Sequence, residues 1–203
     1  MCTSDIFCVT NRRLCREDFL KRIEKIAACR PAGIILREKD MLPEEYSRLA
    51  GNIMEICETF RVRCILHSFC DTALSLGAEG LHMPLRLLRE MDPEVRRSFP
   101  VLGASCHSPV ETEEAMKLGC SYITAGHIFA TDCKRGLPGR GLEFLAEVCR
   151  TVDIPVYGIG GISPENIRAV RAAGAAGACL MSSLMTAEDV PTLMKAMEVK
   201  PEG

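Results

Sequence analysis

Residues 155–183 read PVYGIGGISPENIRAVRAAGAAGACLMSS. Two short apolar runs, PVYGIG (155–160) and GACLMS (177–182), flank a segment that opens Ser163-Pro164-Glu165 and closes on Gly174. Apolar runs of this length fit strands buried on both faces. Ser at an N-cap, Pro at the first helical position and acid in the first turn start a helix, and Gly stops one. The stretch therefore reads as strand, helix, strand.

The same alternation extends outward along the whole chain. Further strand candidates are DIFCVT (5–10), GIILRE (33–38), RCILH (63–67), GLHM (80–83), VLGASC (101–106) and YITAG (122–126). Between them, EDFLKRIEKIAAC places Phe19, Leu20, Ile23, Ile26 and Ala27 on one helical face. PEEYSRLAGNIMEICETF begins with Pro43 and two acids, and SPVETEEAMKLG repeats the Ser-Pro start and Gly stop. AEDVPTLMKAMEV reads as a weaker helix because of Pro191. Eight β/α units predict an α/β fold with a single (β/α)8 TIM barrel over residues 1–203. A doubly wound open sheet is the alternative that periodicity does not separate from it.

Composition narrows the partners. A net charge of −2 gives no electrostatic case for nucleic acid or an anionic membrane. No apolar run approaches the roughly 18 residues that span a bilayer, and MCTSDIFCVTNRRLC lacks a basic-then-apolar signal pattern. The twelve cysteines form no C-x-x-C pair, so they read as reduced, small apolar residues of a cytoplasmic protein.

A barrel carries function at the C-terminal ends of its strands. That places Arg37 to Lys39, His67, Met83, Ser105 to His107, the loop from Gly126, Gly160 to Ile162, Ser182 and Ser183 around the site. Gly160 and Gly161 let backbone N–H groups approach an anion, and Ser163 reads as the N-cap of the following helix. With Ser182 and Ser183 after strand eight they make a phosphate cradle, where barrels commonly hold one; a tight turn is the other reading. Arg37 and Lys39 share a face and suit an anionic substrate, unless they are a solvated charge cluster. His82, inside an apolar run, reads as a structural histidine; His107 is open between structure and substrate contact; His67 is expected to line the pocket. Cys133 is a nucleophile candidate beside Lys134, or a small loop residue. His127 ends strand six, sits beside Gly126 and opens a polar loop. Imidazole is the side chain best poised for proton transfer near neutral pH, so His127 is the catalytic candidate.

LREK (36–39), GASCH (103–107), GHIFATDCKRG (126–136), IPVYGIGGISPEN (154–166) and the closing MSS (181–183) together resemble the thiamine phosphate synthase superfamily, in order and over nearly the whole chain. The resemblance implies one of two branches. The synthase branch joins a pyrimidine diphosphate to a thiazole phosphate with magnesium; the tautomerase branch aromatises a carboxylated thiazole phosphate by moving a proton. The synthase pattern carries magnesium-binding aspartates where this chain has Ser68 and Leu87, a glutamine where it has Ile35, and a threonine where it has Cys133. GHIFATDCKRGLPGRG resembles the tautomerase loop, whose histidine is the acid/base. By that resemblance His127 is catalytic, Arg37, Lys39, His67, Ser105, Thr131 and Lys134 contact substrate, and Gly160, Gly161, Ser182 and Ser183 hold phosphate. It implies a small-molecule thiazole phosphate ligand, no cofactor or metal, and a homodimer. The alternatives are the magnesium-dependent synthase, a non-catalytic phosphate-binding or regulatory barrel, and a phosphosugar isomerase using Glu38 or Lys39.

Overall fold

The computed structural model describes residues 5–131 and 136–198. Eight strands, β1 (Ile6–Val9), β2 (Gly33–Leu36), β3 (Cys64–His67), β4 (Gly80–Pro84), β5 (Val101–Cys106), β6 (Tyr122–Gly126), β7 (Val156–Ile159) and β8 (Gly177–Leu180), follow one another around a closed barrel. Every neighbouring pair is parallel, and β1 pairs with β8 through Phe7 opposite Cys179, so no sheet edge is left open. The barrel, and not the open sheet, is the architecture.

The helices are α1 (Phe19–Ala28), α2 (Pro43–Phe60), α3 (Cys70–Ser75), α4 (Leu85–Glu90), α5 (Pro93–Arg97), α6 (Pro109–Lys117), α7 (Gly141–Thr151), α8 (Ile167–Ala172), α9 (Ser182–Thr186) and α10 (Val190–Ala196). Their starts follow the local chemistry. Asp18 caps α1 by accepting from Lys21 N, and Ser108 caps α6 by accepting from Glu111 N. Two expectations need correction. Pro191 does not weaken α10; it lies in the first turn, where a missing N–H costs nothing, behind the Asp189 cap. Ser163 does not cap α8, which begins four residues later behind Asn166. Asn166 instead accepts from Ser163 N at 2.9 Å and donates to Gly161 O at 2.9 Å, spending those residues on a turn.

Strand alternation divides the core in two. Outward residues such as Ile34, Leu36, Leu66, Leu81, Leu102 and Ile123 meet the helices. Met83 belongs to this set, so it faces α-helical packing and not the site, a correction to the expectation above. Inward residues Phe7, Val9, Ile35, Ile65, Tyr122 and Cys179 fill the barrel. The lower interior holds three rings: Phe7 stacks on Tyr122 at 5.4 Å and meets Tyr157 edge-on at 4.7 Å. Glycines opposite them make room. A methyl group on Gly33 would lie 2.7 Å from the Phe7 ring, and one on Gly103 would lie 2.2 Å from Tyr122. Above β2 and β3, the buried Tyr46 hydroxyl donates to Leu36 O at 2.7 Å and accepts from His67 N at 3.0 Å, fixing the strand ends that carry Arg37 and His67. Ten cysteines are free among the described residues, in keeping with a reduced apolar role. No helix of the described residues is long and apolar enough to cross a membrane.

Candidate functional site

The C-terminal strand ends open into a cavity of about 970 Å³. Arg37, Lys39, His67, Ser105, His127, Thr131, Gly160, Gly161, Ser182 and Ser183 all line it. Lys134 and Cys133 lie outside the described residues. Asn11, His82, His107 and Thr124 also line the cavity, so all four histidines of the chain meet there.

The floor is split by chemistry. Val9, Ile35, Ile159 and Cys179, from β1, β2, β7 and β8, make an apolar half; His67, His82, Ser105 and Thr124, from β3 to β6, make a polar half. His82 is bonded through both ring nitrogens, Nδ1 to Tyr122 Oη and Nε2 to Ser105 Oγ, each at 2.9 Å. It stacks on His67 at 5.5 Å, and His67 Nδ1 lies 2.7 Å from Ser68 Oγ. Burial pushes the His82 pKa down to about 3. Burial, then His82, Lys39 and Arg37, push that of His67 down to about 2. Burial and the nearby cations favour the neutral form of both rings. The structural reading of His82 is thus half the account: it is satisfied, and it also faces the cavity. The signal available in sequence was alternation, since His82 lies opposite His67 in register and shares its face.

His127 is held differently. It is 7% exposed, and among the described residues its buried Nδ1 has no hydrogen-bond partner and its Nε2 has only a long 3.4 Å contact with Leu137 O. Buried polar atoms in folded proteins are paired with few exceptions, and an exception asks for a functional reason. The backbone around it is firm: Ile128 N donates to Ile159 O at 2.9 Å, and Arg140 N donates to His127 O at 2.9 Å.

At the mouth, alternation sorts the charges of β2. Thr10 Oγ1 accepts from Arg37 N at 2.9 Å and donates to Glu38 Oε1 at 2.7 Å, which turns Glu38 away from the cavity. Arg12 then occupies Glu38 and Asp40, and holds the Asp40 carboxyl well below the usual range. Glu38 is therefore unavailable as the carboxylate base of a phosphosugar isomerase. Arg37 and Lys39 face the cavity with no carboxylate partner among the described residues. Burial and the neighbouring Arg37 lower the Lys39 pKa. Among the described residues no Asp or Glu lines the cavity, so its field is cationic. Ser68 is spent on His67, and Leu87 packs against the core.

Opposite lies the wall after β7 and β8. Gly160 and Gly161 take φ of +97° and +65°, and a methyl group on them would lie 2.4 Å from His127 Cβ and 2.5 Å from Ala130 O. These glycines both shape the cavity and admit the chain that bears His127. Ser182 and Ser183 open α9 beside them, in a first turn whose N–H groups have no partner within the helix.

The fold makes the chain a (β/α)8 barrel with its cavity at the C-terminal ends of the strands, where barrels of this kind carry their sites. A model of the family described as thiamine monophosphate synthase (TMP-TENI) matches residues 6–184. The chain belongs to this family. It is 34% identical to thiamine-phosphate synthase 2 of Streptococcus pneumoniae, with 94% of this chain and 92% of that one covered. It is 31% identical to thiamine-phosphate synthase of Clostridium acetobutylicum, over 95% and 92% of the two chains. Among solved structures, thiamine phosphate pyrophosphorylase from Pyrococcus furiosus superposes with a TM-score of 0.81 at 28% identity, covering 96% of this chain and 94% of that one.

Proposed function

We propose that this chain is a thiazole tautomerase of thiamine biosynthesis, converting a carboxylated, non-aromatic thiazole ethyl phosphate into its aromatic form by proton transfer at His127. What supports this reading is His127, whose Nδ1 has no hydrogen-bond partner among the described residues, in the same cavity as the fully bonded His82 and lined by cations with no carboxylate among the described residues.

A base removes the ring C2 proton, and that C–H electron pair enters the ring. The exocyclic carbon takes a proton and becomes methylene. Aromaticity drives the step, so the protein supplies position and an acid/base group, and general acid–base catalysis of this kind contributes about 10²–10⁴-fold. Gly160, Gly161, Ser182 and Ser183 receive the phosphate. Arg37 and Lys39 receive the carboxylate, with Ser105, Thr131 and neutral His67 as further polar contacts. The apolar floor beneath the phosphate wall suits the ring.

The names of the relatives support a second reading, a thiamine phosphate synthase. Such an enzyme uses magnesium to neutralise a diphosphate, and magnesium asks for hard oxygen ligands. The residues present do not fit it: among the described residues no carboxylate lines the cavity, and no cluster of three His, Cys, Asp or Glu could hold a metal. The test incubates chelator-treated protein with the carboxythiazole phosphate tautomer and follows ultraviolet absorbance. A parallel assay supplies the pyrimidine diphosphate, the thiazole phosphate and magnesium. Metal-free aromatisation that falls at least about 10²-fold in His127→Asn, with KM little changed, is expected. Magnesium-dependent thiamine phosphate formation without aromatisation overturns the reading in favour of the synthase.

A further inference from the structure

The reaction asks for proton traffic at two carbons on different parts of a rigid ring system, and His127 is one group. Three other imidazoles line the same cavity. His82 has both nitrogens occupied, and His67 has one occupied and is held neutral by burial. His107 differs from both. It stands at the end of β5 with an exposed ring, and its Nδ1 lies 2.9 Å from Gly126 O. A carbonyl only accepts, so Nδ1 carries the hydrogen and, in the neutral ring, Nε2 is left as a bare acceptor. The backbone N–H of His107 donates to Glu111 Oε2 at 2.5 Å, which anchors the ring's base. Gly126 immediately precedes His127, so the two imidazoles flank one peptide of the cavity wall.

We propose that His107 is the second acid/base residue of this site, its Nε2 exchanging a proton with the substrate carbon that His127 does not serve. The proposal rests on the tautomerase reading. One imidazole takes the C2 proton. The other, entering the step protonated, gives its proton to the exocyclic carbon as the C2 electron pair moves through the ring. The substrate loses one proton and gains one, so its composition is unchanged. The imidazoles have exchanged charge, and proton exchange with water restores them.

His107→Asn tests this, because the Asn amide stands where Nδ1 stood and keeps a donor for Gly126 O while removing Nε2. Metal-free aromatisation is measured in the unaltered protein and the variant, together with equilibrium binding of the aromatic product and the melting temperature. A second measurement uses unaltered protein alone: substrate labelled with deuterium at C2 is turned over once in ordinary water, and the exocyclic methylene is examined for the label. The expected result is a loss of about 10²-fold in kcat for His107→Asn, binding within twofold, and a methylene free of the label. Wild-type kcat in a folded His107→Asn overturns the proposal and leaves His107 as a prop for Gly126. So does full transfer of the C2 label to the methylene, which a single base shuttling one proton produces; this arm decides even if the variant does not fold. Absence of aromatisation in the unaltered protein overturns the tautomerase reading itself, and this proposal with it.

Discussion

The contrast between His82 and His127 shows how one residue type is given two roles by its partners. Two 2.9 Å bonds and full burial keep His82 neutral and fixed. Among the described residues, a single 3.4 Å contact leaves His127 available. Its position depends on Gly160, whose φ of +97° and missing side chain make room for His127 Cβ. Gly160→Ala must strain the backbone and push on the imidazole together. We expect urea denaturation to show a loss of about 1–3 kcal/mol, accompanied by a fall in kcat larger than the change in KM. At this scale the placement of residues around the cavity was legible, because position at a strand end is a sequence property. His82 was undervalued because hydropathy describes the run it sits in, whereas alternation describes the face it points to. The partners of His107 were not legible at all: Gly126 is brought to it only by the β5–β6 register.

Short α9 shows what an element owes to its neighbours. Five residues cannot hold a helix alone. Arg22 of α1, itself 6% exposed, donates to Ala187 O at 2.7 Å and pairs with Glu17 at 2.7 Å, tethering the end of α9 that points away from the cavity. Arg22→Met keeps the bulk and removes the tether. The expected cost is about 1.5–3 kcal/mol of stability, with a rise in KM for the phosphate-bearing substrate exceeding any change in kcat, read by denaturation and steady-state kinetics. Long helices such as α2 were readable to the residue, since Pro43, two acids and a continuous apolar stripe agree. The start of α8 was not, because Asn166 outcompetes Ser163 for the turn's hydrogen bonds, a contest that local propensity does not rank.

Taken whole, the barrel buries two imidazoles at its centre, and this links folding to pH. His67 and His82 titrate at about 2 and about 3 in the folded chain, against 6.5 when unperturbed. Between those values the unfolded chain binds protons that the folded chain refuses, so stability rises with pH. The contribution is complete above pH 6.5 and is lost as pH falls toward 3, by at most about 1.4 kcal/mol per unit for each ring. Carboxylates whose pKa is lowered by partners, such as Glu17 and Glu114, act below about pH 4.5, in the lower part of this window and outside the range tested next. Urea unfolding between pH 7 and pH 5 is expected to weaken steadily, and His82→Gln, which keeps hydrogen bonding without the titration, is expected to show about half the slope. Eight repeated units pointed to a barrel without separating it from an open sheet; closure rests on the β1–β8 pairing, and the filling of the interior was not readable either. The pairing of Phe7 with Gly33 and of Tyr122 with Gly103 joins residues of different strands, and only the register reveals it.

That aromatic packing has a kinetic meaning. Phe7, Ile65 and Tyr122 are buried together in one cluster of side chains inside the barrel, and among the described residues the cavity opens at the C-terminal strand ends. On the proposed reading, a molecule that enters at the strand ends leaves by the same mouth. Substrate and product therefore compete for a single vestibule. Product is expected to inhibit in a strictly competitive manner, and turnover under accumulating product is expected to be governed by how fast the aromatic phosphate vacates the pit.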